Sequence, residues 1–222
     1  CADSTGHGVP GAFMSMIGTT LIKDICLRAG IQKPSQVLIT LDNEVRESLN
    51  QNKEATGSND GMDIIVAEID TKNYKLTVSS AMRPVIVYAG DEQIYIKGSR
   101  SSIGGQMDED RSDKDFIDQV FQLKKGDIIY MFSDGYPDQF GGPLGRKFKM
   151  VRLKNMLRDI HDKPMEEQYN YIKSKFRNHK IESEHSGFRL VAVKGRWTRL
   201  GVPAVHLSIV IILAGALIGS IF

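Results

Sequence analysis

Near its start the chain reads Asp3-Ser4-Thr5-Gly6-His7-Gly8-Val9-Pro10-Gly11-Ala12-Phe13-Met14-Ser15-Met16, an acid followed by a glycine-rich loop and then an apolar run. Glycine adopts backbone conformations that other residues avoid, so an ion can approach the main chain of such a loop closely. The pattern fits an ion-binding loop, but an acid followed by glycine is also typical of a simple turn, and spacing alone leaves both open. It is not the Gly-x-x-x-x-Gly-Lys-Ser/Thr pattern of a nucleotide-binding loop.

Composition places the chain among ordinary globular proteins. Its 222 residues suffice for one substantial core, and 41% of them are hydrophobic and 25% charged. The 29 Lys and Arg residues exceed the 27 Asp and Glu residues by only two. So small an excess gives no sign of a basic surface, and we expect no nucleic-acid partner.

Apolar spacing predicts helices at both ends of the globular part. A first helix follows the glycine-rich loop and a second begins near Pro34, because Pro is well suited to the first helical turn. Their apolar stripes are Phe13, Ile17, Leu21 and Ile25 in the first, and Leu38, Leu41, Val45 and Leu49 in the second. Two further helices are predicted over residues 150–160 and, after Pro164, over residues 165–176.

Short runs of β-forming residues fill the region between these helices. They cover residues 62–69, 74–80, 85–88, 93–97, 116–123 and 127–132, and a last run covers residues 188–193. We predict a hairpin across residues 70–73 and a second strand pair joined through Lys124-Lys125-Gly126. Helices, then strands, then helices indicate an α+β domain of layered, largely antiparallel sheets.

The C-terminal stretch has a different composition. Residues 200–222 contain no charged side chain, and about 20 apolar residues are enough for a helix to span a bilayer. Arg196 and Arg199 precede the stretch, which would place the globular part in the cytoplasm. We therefore predict a membrane anchor here, with a buried C-terminal helix as the alternative.

Acidic residues stand beside glycine turns at three places along the chain. They are Asp3 in the opening motif, the run Asp60-Gly61-Met62-Asp63, and the run Phe132-Ser133-Asp134-Gly135-Tyr136-Pro137-Asp138-Gln139-Phe140-Gly141-Gly142. Carboxylates at strand ends can point out of a sheet toward an ion. Hard oxygen ligands favour Mg²⁺ or Mn²⁺ over zinc or copper, for which His and Cys are preferred.

With these motifs the chain resembles the bacterial PPM/PP2C-type serine/threonine phosphatases of the SpoIIE (stage II sporulation protein E) and RsbU-like group. The resemblance extends over residues 1–194 and rests on the three acidic motifs together with Ala81-Met82-Arg83-Pro84, Gly126-Asp127 and Lys147-Phe148. It implies a phosphatase domain at residues 1–196, built as an antiparallel β-sandwich flanked by helices in α/β/β/α layers. The hydrophobic helix at residues 200–222 would follow it.

The resemblance also implies a centre of two Mn²⁺ or Mg²⁺ ions. Asp3 would bridge both ions, the backbone carbonyl of Ser4 would be a further ligand, and Asp134 would bind one ion. Asp63 would support an ion through water, or else it is only a turn carboxylate at the start of a strand. The reaction expected of such a centre is direct hydrolysis of phosphoserine or phosphothreonine, without a phosphoenzyme.

Two more residues are candidates for contact with the substrate. His7 could give a proton to the leaving serine oxygen, because imidazole titrates near neutral pH, or it could only hydrogen-bond within its loop. Arg83 could steer the phosphate, or it could be a structural residue beside Pro84. The resemblance implies a regulatory phosphoprotein, such as an anti-anti-sigma factor, as the partner.

The chain departs from the family pattern at two places. It begins at Cys1, after the point where the family has an upstream acidic ligand, so we expect it to be part of a longer protein with an upstream sensor domain. Ser186-Gly187 stands where the family has an Asp-Asp pair. Three functions follow as hypotheses: an active phosphatase, a catalytically inactive relative that binds the same partner, and a membrane-anchored partner-binding module.

Overall fold

The computed structural model describes residues 1–5, 9–28, 30, 33–51, 60–105, 116–138, 140–141, 146–175, 179–184 and 187–192. The chain divides into two compact units, Cys1–Lys163 and Pro164–Phe222. The first unit contains the helices α1 (Val9–Leu27), α2 (Pro34–Ser48) and α3 (Met150–Arg158). Its strands are β1 (Ala2–Ser4), β2 (Gly61–Asp70), β3 (Lys75–Ala81), β4 (Val85–Ala89), β5 (Glu92–Ile96), β6 (Ile103–Gly104), β7 (Gln119–Gln122), β8 (Ile128–Met131), β9 (Phe140–Gly141) and β10 (Arg146–Lys147).

The helices α1 and α2 form where the apolar spacing predicts them, with one correction to the buried face of α1. Ile25 is fully buried, whereas Phe13 is 60% exposed and Met14 is buried in its place. The reason is the helical period: at about 100° per residue, the 12 positions from Phe13 to Ile25 accumulate a rotation of about 120°. Met14 and Gly18 lie within about 20° of Ile25 by the same arithmetic and face the core.

Two antiparallel sheets form the centre of the first unit. One has the order β1-β2-β3-β7 with β6 also paired to β2, and the other has the order β5-β4-β8. Successive residues of a strand face opposite sides of its sheet. Ile64 accordingly joins the apolar cluster that contains the buried residues of α1 and α2. Its neighbour Ile65 joins a second cluster, which contains Val85 and Val87 of β4. The larger sheet therefore lies between the helices and the smaller sheet.

The helix α3 covers the outer face of the smaller sheet. The ammonium group of Lys154 lies 3.3 Å from the centre of the Tyr95 ring in β5. His161, just after α3, stacks on Tyr88 of β4 with ring centres 4.2 Å apart. The order of layers in this unit is thus α1 and α2, sheet, sheet, α3, and the predicted α+β class with antiparallel sheets is confirmed.

The predicted strand pair around Lys124-Lys125-Gly126 is wrong. Both strands exist, but β7 pairs with β3 and β8 pairs with β4, so they belong to different sheets. A hydrogen bond within the short turn between them stabilises it: the Lys124 amide donates to the Asp127 carboxylate at 2.8 Å. Gly126, at φ +103°, supplies the backbone conformation that this turn needs. The chain also crosses between the sheets at residues 82–84.

The second unit contains α4 (Met165–Ser174), β11 (His179–Glu184) and β12 (Gly187–Ala192). The helix α4 follows Pro164, as predicted, and β12 corresponds to the predicted last strand. Its antiparallel partner β11 was not predicted. The predicted hydrophobic helix at residues 200–222 lies outside the described residues. Within the ranges that the structure describes, no helix combines the length and the apolar character that a membrane crossing requires.

Candidate active site

Two carboxylates face each other across the first strand pair. The register of β1 and β2 sets Asp3 directly opposite Asp63. Beyond β1 the Thr5 amide donates to the Gly61 carbonyl at 2.8 Å, which extends the pairing. Like charges directly opposite each other on neighbouring strands are destabilising. The backbone pairing therefore holds two acids at a place that requires a cation.

The other sheet contributes an arginine and a third acid at the same place. In the pairing of β4 with β8, Val85 lies opposite Met131. Extending this antiparallel register by two residues sets Arg83 opposite Ser133, next to Asp134. Arg83 itself lies in the crossing between the sheets, where its amide donates to the Ala81 carbonyl at 2.8 Å. The crossing thus carries the Arg83 side chain from one sheet toward acids on both.

Asp3, Asp63 and Asp134 form what we term the acidic cluster, with the Arg83 guanidinium among them. The Arg83 Nη2 atom lies 2.6 Å from Asp63 Oδ2, 2.7 Å from Asp134 Oδ2 and 3.7 Å from Asp3 Oδ2. The exposed fraction of the side chain rises from 13% for Asp63 to 33% for Asp3 and 46% for Asp134. The cluster is therefore open to solvent on the side of Asp134, where a ligand can approach.

The pKa of the Asp3 carboxyl reflects the charges that surround it in the cluster. Burial raises the pKa of the Asp3 carboxyl, and a hydrogen bond to Asp134 and the negative charge of that residue raise it further. The Arg83 guanidinium lowers the same pKa in part, and the charge of Asp63 raises it. These opposing effects show that one guanidinium offsets the charge of the neighbouring acids only in part.

Ser102 fixes the orientation of Asp63 and was missed by the sequence analysis. Its hydroxyl donates to Asp63 Oδ1 at 2.6 Å, which leaves Oδ2 for Arg83. Ser102 reaches this place because the adjoining strand β6 pairs with the start of β2. It lies in a stretch rich in Ser, Gly and Asp, and no local pattern distinguishes this serine from its neighbours.

The remaining predicted site residues are placed as follows. Ser4 is the last residue of β1, and its hydroxyl accepts a hydrogen bond from Ser15 of α1 at 3.3 Å. Ligation of an ion by its backbone carbonyl stays a prediction. His7, the glycine-rich loop around it and Ser186 lie outside the described residues.

The donor set fits the hard cations that the resemblance implies. Three carboxylates converge, two of them within hydrogen-bond distance of one nitrogen atom, and Mg²⁺ and Mn²⁺ prefer such oxygen ligands. As they are arranged, however, no group of three or more His, Cys, Asp or Glu residues among those described could hold a metal ion. The Arg83 guanidinium lies where a cation would bind. A metal ion would use these oxygens only after Arg83 had moved.

Comparison with known families gives one match that covers most of the chain. A family model described as Stage II sporulation protein E (SpoIIE) matches residues 1–186. No curated protein sequence matches the chain.

Solved structures with a similar fold include domains of three bacterial proteins. The SiaA PP2C domain of Pseudomonas aeruginosa has a TM-score of 0.67 and 29% identity, over 78% of this chain and 65% of that one. The PP2C phosphatase domain of SpoIIE from Bacillus subtilis, with a fragment of its regulatory domain, has a TM-score of 0.55 and 19% identity, over 78% and 46% of the two chains. The RsbU and RsbW domains of a Mycobacterium tuberculosis protein have a TM-score of 0.56 and 18% identity, over 79% and 47%.

These similarities show a PP2C-like fold. The chain spans between 46% and 65% of the length of the three solved chains. The two matches at 18% and 19% identity bear on the fold alone.

Proposed function

Since this chain belongs to the stage II sporulation protein E (SpoIIE) family, we propose that it is a metal-dependent phosphatase that hydrolyses phosphoserine or phosphothreonine on a regulatory protein. The family and the PP2C-like fold support a phosphatase domain of the kind found in signalling proteins. The metal dependence, the substrate and the residue roles are the content of the proposal.

The convergence of the acidic cluster is the observation that carries this proposal. Asp3, Asp63 and Asp134 come from three distant motifs, yet all three approach one guanidinium nitrogen. The strand register holds Asp3 against Asp63 although their charges repel. The repulsion between Asp3 and Asp63 is unfavourable for stability, and a bound cation would offset it.

In the proposed site the three acids would hold two Mn²⁺ or Mg²⁺ ions, and the Ser4 carbonyl would be a further ligand. A pair of divalent ions in such a site supplies water activation and neutralises charge on the phosphoryl group. Ser102 would keep Asp63 oriented for its ion through the 2.6 Å hydrogen bond. Hydrogen-bond donors that orient ligating carboxylates in this way commonly raise the affinity of a site for its metal.

Arg83 and His7 would act on the substrate. A planar guanidinium can pair with two phosphate oxygens at once, and Arg83 enters the cluster from the crossing between the sheets. Once displaced from the acids, Arg83 would orient the phosphoryl group beside them. His7 would give a proton to the leaving serine oxygen.

The proposed partner is a regulatory phosphoprotein such as an anti-anti-sigma factor, and the proposed parent is a longer protein with an upstream sensor domain. A cytoplasmic location for the phosphatase domain and an anchor at residues 200–222 remain predictions from the sequence.

A catalytically inactive, partner-binding relative is the second candidate function. Two observations favour it: Ser186-Gly187 replaces the acidic pair that the family pattern leads us to expect, and Arg83 lies at the centre of the acidic cluster. Turnover distinguishes the two candidates directly.

The test is hydrolysis of a phosphoserine peptide by the 222-residue chain with and without Mn²⁺, beside the variants Asp134→Asn and Asp138→Asn. Asp138 lies in the same turn region but pairs with Lys147 at 2.9 Å, so it is a matched control. We expect Mn²⁺-dependent turnover that Asp134→Asn lowers by more than about 100-fold. Loss of a residue that only orients a metal ligand already costs about 10- to 100-fold in metal affinity or activity, and loss of a ligand should cost more. Asp138→Asn should retain the turnover.

No Mn²⁺-dependent turnover in the parent chain would contradict the phosphatase proposal and favour the inactive relative. Equal losses in the two variants would contradict the role given to Asp134.

A further inference from the structure

We propose that Arg83 is a built-in competitor of the divalent cation: its guanidinium fills the acidic cluster when no metal is bound, and metal ions enter by displacing it. The inference rests on the proposed function, since it assumes that the acidic cluster binds divalent ions. It adds a step before catalysis, in which one side chain sets how readily the site is loaded.

The charge balance of the cluster favours such an exchange. One guanidinium faces three carboxyl groups, and a divalent ion would bring twice the positive charge to the same oxygens. The Arg83 Nη2 atom lies within 2.7 Å of Asp63 and Asp134 but 3.7 Å from Asp3. Arg83 therefore compensates the acids only in part.

The hydrogen bonding of Arg83 is also incomplete. All three of its contacts with the acids involve Nη2. Its Nε atom is buried and has no hydrogen-bond partner within the described part of the chain. A guanidinium has five N–H donors, and a buried donor without a partner is unfavourable. The side chain is held mainly by charge, so a stronger cation can replace it without breaking a complete hydrogen-bond network.

The backbone of Arg83 confines the exchange to its side chain. The Arg83 amide donates to the Ala81 carbonyl, and the Arg83 carbonyl accepts a hydrogen bond from the Ser80 hydroxyl. The side chain is 22% exposed, and Asp134 beside it is 46% exposed. Arg83 can therefore leave the cluster on its solvent side while the crossing between the sheets stays in place.

The test is the affinity of the 222-residue chain for Mn²⁺, measured by titration calorimetry without substrate, for the parent and for Arg83→Met. If Arg83 occupies the cluster in about nine of ten metal-free molecules, its removal raises the apparent affinity about tenfold. Arg83→Lys keeps a positive charge and should stay near the parent value.

Arg28 provides the matched control. It also pairs with two acids, Asp24 and Glu44, but on the exposed surface between α1 and α2. Arg28→Met should leave the Mn²⁺ affinity unchanged, and circular dichroism of each variant reports whether it is folded. Hydrolysis adds an independent readout, because Arg83→Met should bind Mn²⁺ more tightly and yet hydrolyse the phosphopeptide more slowly.

An Arg83→Met protein that binds Mn²⁺ no more tightly than the parent would overturn the competition, while saturable binding by both would leave the proposed function standing. A gain in affinity shared by Arg28→Met would also overturn it, since the effect would then come from net charge alone. Absence of saturable Mn²⁺ binding in the parent and in all variants would overturn the metal-dependent function itself.

Discussion

Two arginines in the first unit differ in how their guanidinium nitrogen atoms are paired with acids and carbonyls. Arg46 of α2 is buried, and each of its nitrogen atoms has a partner: Nε donates to Asp42 at 2.9 Å, Nη1 to the Gly105 carbonyl at 2.7 Å, and Nη2 to the Gly104 carbonyl at 3.4 Å. Arg83 directs one nitrogen at three acids and leaves its buried Nε without a partner among the described residues.

The difference separates a structural ion pair from a binding site. Around Arg46 one positive charge meets one negative charge, and the second oxygen of Asp42 accepts the Gly104 amide at 2.7 Å. This network ties α2 to the end of β6 and to Gly105, and it gives every nitrogen atom of Arg46 a partner. Around Arg83 the acids outnumber the cation, and the most exposed acid faces solvent. An excess of negative charge that does not stabilise the fold indicates a functional site.

The largest expected effect concerns stability. Arg46→Met should lower the free energy of unfolding by about 3–5 kcal/mol, because it leaves the Asp42 carboxylate buried without its partner. Arg83→Met should lower it by only about 1 kcal/mol, since two of its three acidic partners, Asp3 and Asp134, are partly exposed and solvent screens their attraction to Arg83. Urea denaturation of metal-free protein measures both. Equal losses of unfolding free energy in the two variants would contradict the distinction between a structural ion pair and a binding site.

A smaller effect of opposite sign is expected from Asp3. Without metal, Asp3→Asn should stabilise the fold by about 0.2–1 kcal/mol, because it removes the charge that lies opposite Asp63. With Mn²⁺ at about 100 times its dissociation constant, the parent should gain about 2.7 kcal/mol and Asp3→Asn much less.

Thermal unfolding with and without Mn²⁺ measures these shifts. Asp24→Asn, which alters an exposed acid paired with Arg28, is the control and should respond to Mn²⁺ as the parent does. An Asp3→Asn protein that is less stable than the parent without metal and gains equally with metal would show that Asp3 belongs to a structural network.

Most of the longer strands could be predicted from the sequence, but their partners only in part: the hairpin across residues 70–73 formed between β2 and β3, whereas other pairings were not foreseen. The apolar and β-branched runs of the sequence agree closely with the bounds of β2, β3, β4 and β5. The run 127–132 became β8, yet it paired with β4 and not with β7. A connection of three residues with a glycine can close a hairpin or carry the chain to another sheet. Packing of the two sheets decides between these outcomes, and packing is not visible in a local pattern.

The same limit applies to the site. Asp3 and Asp134 were candidates because each stands in a distinctive motif, and Asp63 because it follows Asp60-Gly61. The position of Arg83 among these acids depends on the register of β1 with β2 and of β4 with β8, which sequence periodicity does not determine. Ser102 reaches Asp63 only through the pairing of β6 with β2, so it too required the fold.

The most direct test of the central claim, that Arg83 occupies a cation site whereas Arg46 is part of the structure, is NMR of the arginine Nε–H groups during a titration with diamagnetic Mg²⁺. Signals are assigned by their loss in Arg83→Met and Arg46→Met. We predict that the Arg83 signal shifts saturably with Mg²⁺ while the Arg46 signal stays in place. An Arg83 signal that does not respond up to millimolar Mg²⁺, or one that moves together with that of Arg46, would contradict the account.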